Sequence, residues 1–172
     1  MDEQVRAGLK QLRLAAHPLR LRLLSLLTGT PMSAAEAARE LGQTQANVSY
    51  HIRQLAAGGL IRLVDEKSVR GGTAKRYVHD PVSGETVKVD HRDGHMLLIR
   101  TLAEQMNARA AISREGSNLV FTDAHVSIPI SQWSRVESLA RELGRLVHEL
   151  AEFPSTENVV NASVTVAVFE TE

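Results

Sequence analysis

The apolar positions change period along the chain, and the changes divide it into elements. Residues 3–28 contain almost no helix breakers apart from His17-Pro18. Proline is tolerated in the first turn of a helix and not in its interior, so one helix should end near Ala16 and another begin at Pro18. Leu19, Leu23, Leu26 and Leu27 then share a helical face. Gly29-Thr30-Pro31 ends that helix. Ser33 to Glu36 reads as a capping box, in which the hydroxyl caps the helix and Glu36 reaches back. Ala34, Ala37, Ala38 and Leu41 make a short, small-sided face, and Gly42 is placed to stop it. Two residues on, Thr44 can cap a further helix with Val48, Ile52 and Leu55 inward, and Gly58-Gly59 ends it. Leu60–Val64 is a short β-prone run. Asp65–Thr73, charged and containing Gly71-Gly72, reads as a loop tip, and the alternation of Ala74–His79 returns as a second strand. This order predicts a helix-turn-helix followed by a β-wing.

The remainder has a different rhythm. Residues 80–93 read as a connector, with a candidate short strand at Thr86–Val89. Gly94–Ala111 has helical spacing at Leu97, Leu98, Leu102 and Met106. Leu119–Ile130 alternates, with Val120, Thr122, Ala124, Val126 and Ile128 on one side. Ser131 can cap a helix to about Phe153, with Val136, Ala140, Leu143, Val147 and Leu150 inward. Val159–Phe169 alternates again, with Val160, Ala162, Val164, Val166 and Val168 on one face. Helices over a small sheet with one apolar face predict an α+β unit. Two strands are few for a stable sheet, so either Thr86–Val89 or a second subunit should complete it. The expected organisation is therefore α+β throughout, with a winged helix-turn-helix over 1–80 and a dimerisation or effector-sensing region over 81–172.

Composition narrows the class. The 172 residues are 43% apolar and 23% charged, which is globular and argues against disorder. No cysteine is present, which excludes disulfides, thiolate metal sites and cysteine nucleophiles and fits a reducing cytosol. The first residues have no apolar signal-peptide core, and no apolar run approaches the ~20 residues of a membrane helix. The expected location is cytoplasmic, without membrane contact. The formal net charge of zero conceals an asymmetry: residues 1–80 carry 12 Lys/Arg and 7 Asp/Glu, a formal +5, whereas 81–172 carry 8 and 13, a formal −5. A polyanion would be attracted by the first half and repelled by the second.

That charge gives the helix beginning at Thr44 its meaning. Gln43, Thr44, Gln45, Asn47, Ser49, Tyr50, Arg53 and Gln54 are polar groups it should expose. An α-helix fits the major groove, where Asn, Gln and Ser hydrogen-bond base edges. The wing adds Lys67, Arg70, Lys75 and Arg76, whose charges suit phosphates. The competing interpretation is a polar helix surface followed by a solvated charged turn.

Here the sequence resembles a family. Leu14-Ala-Ala-His-Pro-Leu-Arg-Leu-Arg-Leu-Leu-Ser-Leu-Leu27 looks like the opening helix of the ArsR-like winged-helix repressors. Ala34–Gly42 followed by Gln43–Ile61 is similar to their recognition segment, most clearly at Val48-Ser49-x-His51-Ile52-x-x-Leu55 and at Gly59-Leu60-Ile61. Arg76-Tyr77 resembles the strand returning from the wing. The resemblance covers about residues 8–80 and implies a dimeric transcriptional regulator. Many such relatives sense metals through cysteines, which are absent here, or through Asp, His and Glu on the last helix. The second half is also larger than a minimal member's single helix and looks like the longer variants with an α/β extension.

Other chemistry is sparse. Asp90-His91-Arg92-Asp93-Gly94-His95 gathers two His and two Asp in six residues and offers a Zn²⁺ or Ni²⁺ site, against a polar connector capping the next helix. His148 and Glu152 lie one turn apart, as a metal pair or a surface pair. His51 is expected to be structural or to contact phosphate. No Gly-rich phosphate loop, Gly-x-Ser-x-Gly or His-Glu-x-x-His occurs, and the six aromatics are scattered, which argues against an enzyme and against a single-strand binder. The sequence thus predicts a non-enzymatic regulator, a repressor binding a palindromic operator in double-stranded DNA as a homodimer. No cofactor or metal is assigned, and a small-molecule effector would act through the second half. A metal-responsive regulator using Asp90–His95 and a winged-helix protein-interaction module remain the alternatives.

Overall fold

His17 and Pro18 set the first boundary. A computed structural model describes residues 14–69, 72–80, 92–151 and 159–171, excepting the side chains of Lys67 and Val69. Leu14 and Ala15 are helical, and helix α1 (Pro18–Leu26) restarts with Pro18 in its first turn. His17 is the N-cap, its Nδ1 accepting the Leu19 N–H at 3.2 Å. Strand β1 (Met32–Ser33) leads into α2 (Ala34–Leu41). The predicted capping box is present. The Ser33 Oγ accepts the Glu36 N–H at 3.3 Å, and Glu36 Oε2 accepts the Ser33 N–H at 2.7 Å. The Ser33 N–H and the Ser33 hydroxyl, which also donates to Oε2 at 2.8 Å, hold the Glu36 carboxyl below its usual pKa. Gly42 closes α2 at φ 61°, a left-handed conformation that a side chain would disfavour.

Helix α3 (Gln45–Ala57) follows after two residues, with Thr44 Oγ1 accepting the Asn47 N–H at 3.3 Å. Strands β2 (Ile61–Val69) and β3 (Gly72–His79) form the wing. The three strands make one antiparallel sheet in the order β1-β3-β2, with Met32 opposite Tyr77 and a bulge in β2 between Leu63 and Asp65. Leu23, Leu27, Ala37, Val48 and Leu55 are fully buried, and Leu24, Ile52, Leu60 and Ile61 complete the core they form. Apolar spacing on three short helices and the wing root thus converges on one centre, which fixes α3 against α2.

Helices α4 (Arg92–Ala110) and α5 (Ile130–Ala151) make up the regular part of the second half. Helix α4 packs on α1, with Thr101 its one buried residue. The last turn of α5 reaches the winged-helix half. The His148 ring lies edge-on to His79 at 4.7 Å, and a Cβ on Gly29 would collide with the Ala151 backbone.

Three expectations require correction. The wing strands run to Val69 and resume at Gly72, so most of the expected Asp65–Thr73 loop is paired, with Glu66 opposite Lys75 and Ser68 opposite Thr73. Helix α5 starts at Ile130, where the Pro129 carbonyl accepts from Gln132 and Trp133, so Ser131 lies inside the helix and does not cap it. The expected strands at Leu119–Ile130 and Val159–Phe169 are not strands in the single chain: residues 119–129 and 159–171 have no ladder partner among the described residues. The α+β class holds through the helices and the winged-helix sheet. The Thr86–Val89 segment lies outside the described residues.

Candidate nucleic-acid interface

Helix α3 has two faces because its sequence has two. Val48, Ile52 and Leu55 are buried, whereas Gln43, Thr44, Gln45, Asn47, Tyr50 and Arg53 are exposed and Ser49 and Gln54 half-buried. The exposed set runs along the outer side of one helix, as major-groove reading requires. The Asn47 Nδ2 donates to Gln43 Oε1 at 3.2 Å, so these two amides are braced against each other and are partly ordered before any ligand arrives. The N-terminus of α3 carries partial positive charge along the helix axis, which favours a phosphate at that end.

His51 belongs to the inner face. It is 7% exposed, and its ring stacks on His17 at 4.6 Å and meets the Tyr50 ring at 5.1 Å. Its Nδ1 has no hydrogen-bond partner among the described residues. Burial, then the neighbouring His17 and Arg20, pushes the His51 pKa down. The His17 pKa falls for the same reasons, burial first and Arg20 second. At neutral pH both rings are therefore uncharged. His51 is a packing residue tying α3 to the start of α1, the structural alternative of the two foreseen.

The wing divides its cations differently from expectation. Lys75 is exposed and pairs with Glu66 across the strands at 3.3 Å. Such an exposed pair contributes at most about 1 kcal/mol, so the lysine can exchange its carboxylate for a phosphate. Arg76 turns toward the body. Its Nη2 donates to the Pro31 carbonyl at 2.6 Å, and its Nε lies 3.5 Å from Glu36 Oε2 without hydrogen-bond geometry. It joins the wing root to the α2 cap, so its structural bonds compete with the phosphate contact expected of it. The Arg70 position and the Lys67 side chain lie outside the described residues.

Helix ends supply one cation that spacing alone does not reveal. Arg22 on α1 is exposed at its guanidinium, and its Nη2 donates to the Leu41 carbonyl at 3.4 Å, beside the turn into α3. Only tertiary packing brings it there; the sequence signal is an arginine on the polar side of a leucine-striped helix.

The metal alternatives gain nothing. Asp90 and His91 lie outside the described residues, Asp93 sits in the first turn of α4, and His95 packs edge-on against Phe169 at 4.6 Å. His148 packs on His79, and Glu152 lies outside the described residues. Among the described residues no three His, Asp or Glu are grouped to hold a metal ion, and no helix is long and apolar enough to cross a membrane.

No curated protein matches this chain. Residues 15–64, from just before α1 into the wing, match a family model described as a helix-turn-helix domain, so the chain carries a domain of the kind found in DNA-binding regulators.

Proposed function

We propose that this chain is a sequence-specific regulator of transcription, a repressor that binds a palindromic operator in double-stranded DNA as a homodimer. The reading rests on one observation above all. A helix capped by Thr44 presents Gln45, Asn47, Tyr50 and Arg53 to solvent while its other side is locked in the core. Gln45 and Asn47 read base edges, Gln43 and Ser49 assist, and Lys75 with Arg70 and Lys67 on the wing neutralises phosphates. Within this proposal Arg76 supports the wing root and contacts phosphate only by releasing its own bonds.

The formal −5 of the second half suits subunit association or effector binding better than DNA contact. An effector there acts by changing the separation of two recognition helices, which must lie one helical turn apart, about 34–36 Å, to read both half-sites. The last turn of α5, packed on Gly29 and His79, is the connection through which such a change reaches the winged helix. The proposed setting is the cytoplasm, and the protein carries out no chemistry of its own.

Footprinting of the purified full chain on genomic DNA tests the reading. The expected protected sites are inverted repeats whose half-site centres lie about 10–10.5 base pairs apart or a multiple of that. Protection that follows salt and length but no sequence would contradict it.

A further inference from the structure

The second half exposes many large apolar side chains. Leu119, Val120 and Phe121 are 82%, 93% and 77% exposed, and Val126, Val160, Val164, Val166 and Val168 are also exposed. Helix α5 runs 22 residues without burying one, leaving Leu139, Leu143, Leu146 and Leu150 uncovered. At about 160–200 Å² per large side chain, the exposed apolar groups of this half sum to roughly 2,000 Å². An ordinary stable interface requires about 800 Å² from each partner.

The backbone has no main-chain partner either: among the described residues, no main-chain hydrogen bond involves residues 119–128 or 159–171. Both segments nevertheless have the period-2 alternation of strands. They lie beside each other and along α4: His125 Nε2 is 3.0 Å from Thr171 Oγ1, Arg109 Nη1 donates to Ser163 Oγ at 3.3 Å, and Phe169 packs on His95.

We infer that these two segments become strands only against the same segments of a second copy, giving one four-stranded intermolecular sheet backed by α4 and α5 of both chains. Strand number argues for a second copy: the described residues of this half of one chain supply two such segments, a stable sheet takes three or more strands, and two chains supply four. Charge argues the same way. Within 119–128 and 159–171 the charged residues are Asp123 and Glu170 alone, so two copies meet here with little like-charge repulsion, while a nucleic acid or an acidic peptide meets two carboxylates and one neighbouring cation, Arg109. A two-fold axis through this sheet also pairs the recognition helices. The inference rests on the proposed homodimer and assigns its interface.

The test is hydrogen exchange by mass spectrometry on the full chain, above and below its association concentration, with sedimentation on the same samples. Val126→Lys and Val166→Lys provide the comparison, and both positions are exposed in the single chain, so the winged helix should melt unchanged. The expected result is a dimer whose 119–128 and 159–171 amides are protected at least ~100-fold over the same amides in the lysine variants, which sediment as monomers. A dimer whose amides in these segments exchange freely overturns the assigned interface and leaves the dimer standing. A monomer at micromolar concentration overturns both. Because wild-type exchange is read directly, a lysine variant that fails to fold does not spare the inference.

Discussion

Acid should loosen the junction between the two halves, and His79 gives the magnitude. Its main-chain N–H donates to the Leu27 carbonyl at 3.0 Å, and its Nδ1 lies 3.2 Å from Thr28 Oγ1. The Thr28 hydroxyl spends its single proton on the Leu24 carbonyl at 2.9 Å, so neutral His79 must be the donor in that pair and carries its hydrogen on Nδ1. Burial, and then the neighbouring His148, lowers the His79 pKa from 6.5 to about 4, with Asp80 opposing. In that interval the unfolded chain binds a proton that the folded chain refuses. Stability from this residue is therefore complete above about pH 6.5 and is lost as pH falls toward 4. At 1.36 kcal/mol per pKa unit, the linkage gives about 2 kcal/mol lost by pH 5 and about 3 by pH 4. The assay is urea unfolding followed by far-UV circular dichroism, comparing the wild type with His79→Asn, whose amide nitrogen takes the place of Nδ1 as a donor for Thr28 but does not titrate. Carboxylates and the His17–His51 pair contribute equally to both proteins and cancel. Between about pH 7.5 and 5 the wild type should lose about 2 kcal/mol more than the variant. Parallel losses would refute the reasoning and mean that the His79 ring is hydrated.

Three further perturbations probe the winged-helix half. Leu55→Ala empties a fully buried position between α3 and the core and should cost about 2.5–5 kcal/mol in chemical denaturation, with loss of DNA binding near physiological temperature. Ser33→Ala removes the hydroxyl that caps α2 and donates to Glu36, while the main-chain bond to Glu36 stays, costing about 1 kcal/mol by the same assay. Lys75→Ala should weaken binding to every DNA sequence alike. It should also lower the slope of log affinity against log salt by about 0.9 for each phosphate the wing no longer neutralises, measured by fluorescence anisotropy.

The winged-helix half is legible in the sequence because its signals are local. His17-Pro18, the Ser33–Glu36 box, Gly42 and Thr44 each fix a helix boundary through bonds made within four residues. Strand β1 escapes such reading: two residues have no period, and Met32 and Ser33 are strand only because Tyr77 and Arg76 come to lie opposite. The wing's length escapes for a related reason. Asp65–Val69 is polar, and pairing with Gly72–Arg76 outweighs its loop-like composition. Arg76 reads as a wing cation, yet the Pro31 carbonyl and Glu36, far away in sequence, draw it inward. In the second half the alternation at 119–130 and 159–169 marks strand-forming segments, but alternation says nothing about which chain supplies the partner.

Gln45→Ala with Asn47→Ala tests the central claim most directly. Both side chains are exposed on α3, the Thr44 cap bonds the Asn47 main chain, and alanine is a good helix former, so the fold should survive. The quantity to measure is the ratio of affinity for the footprinted operator to affinity for scrambled DNA of equal length, at one fixed salt concentration. Removing each base contact should reduce discrimination by about 1–3 kcal/mol, so the ratio should collapse while affinity for scrambled DNA stays the same. An unchanged ratio would show that α3 does not read the operator.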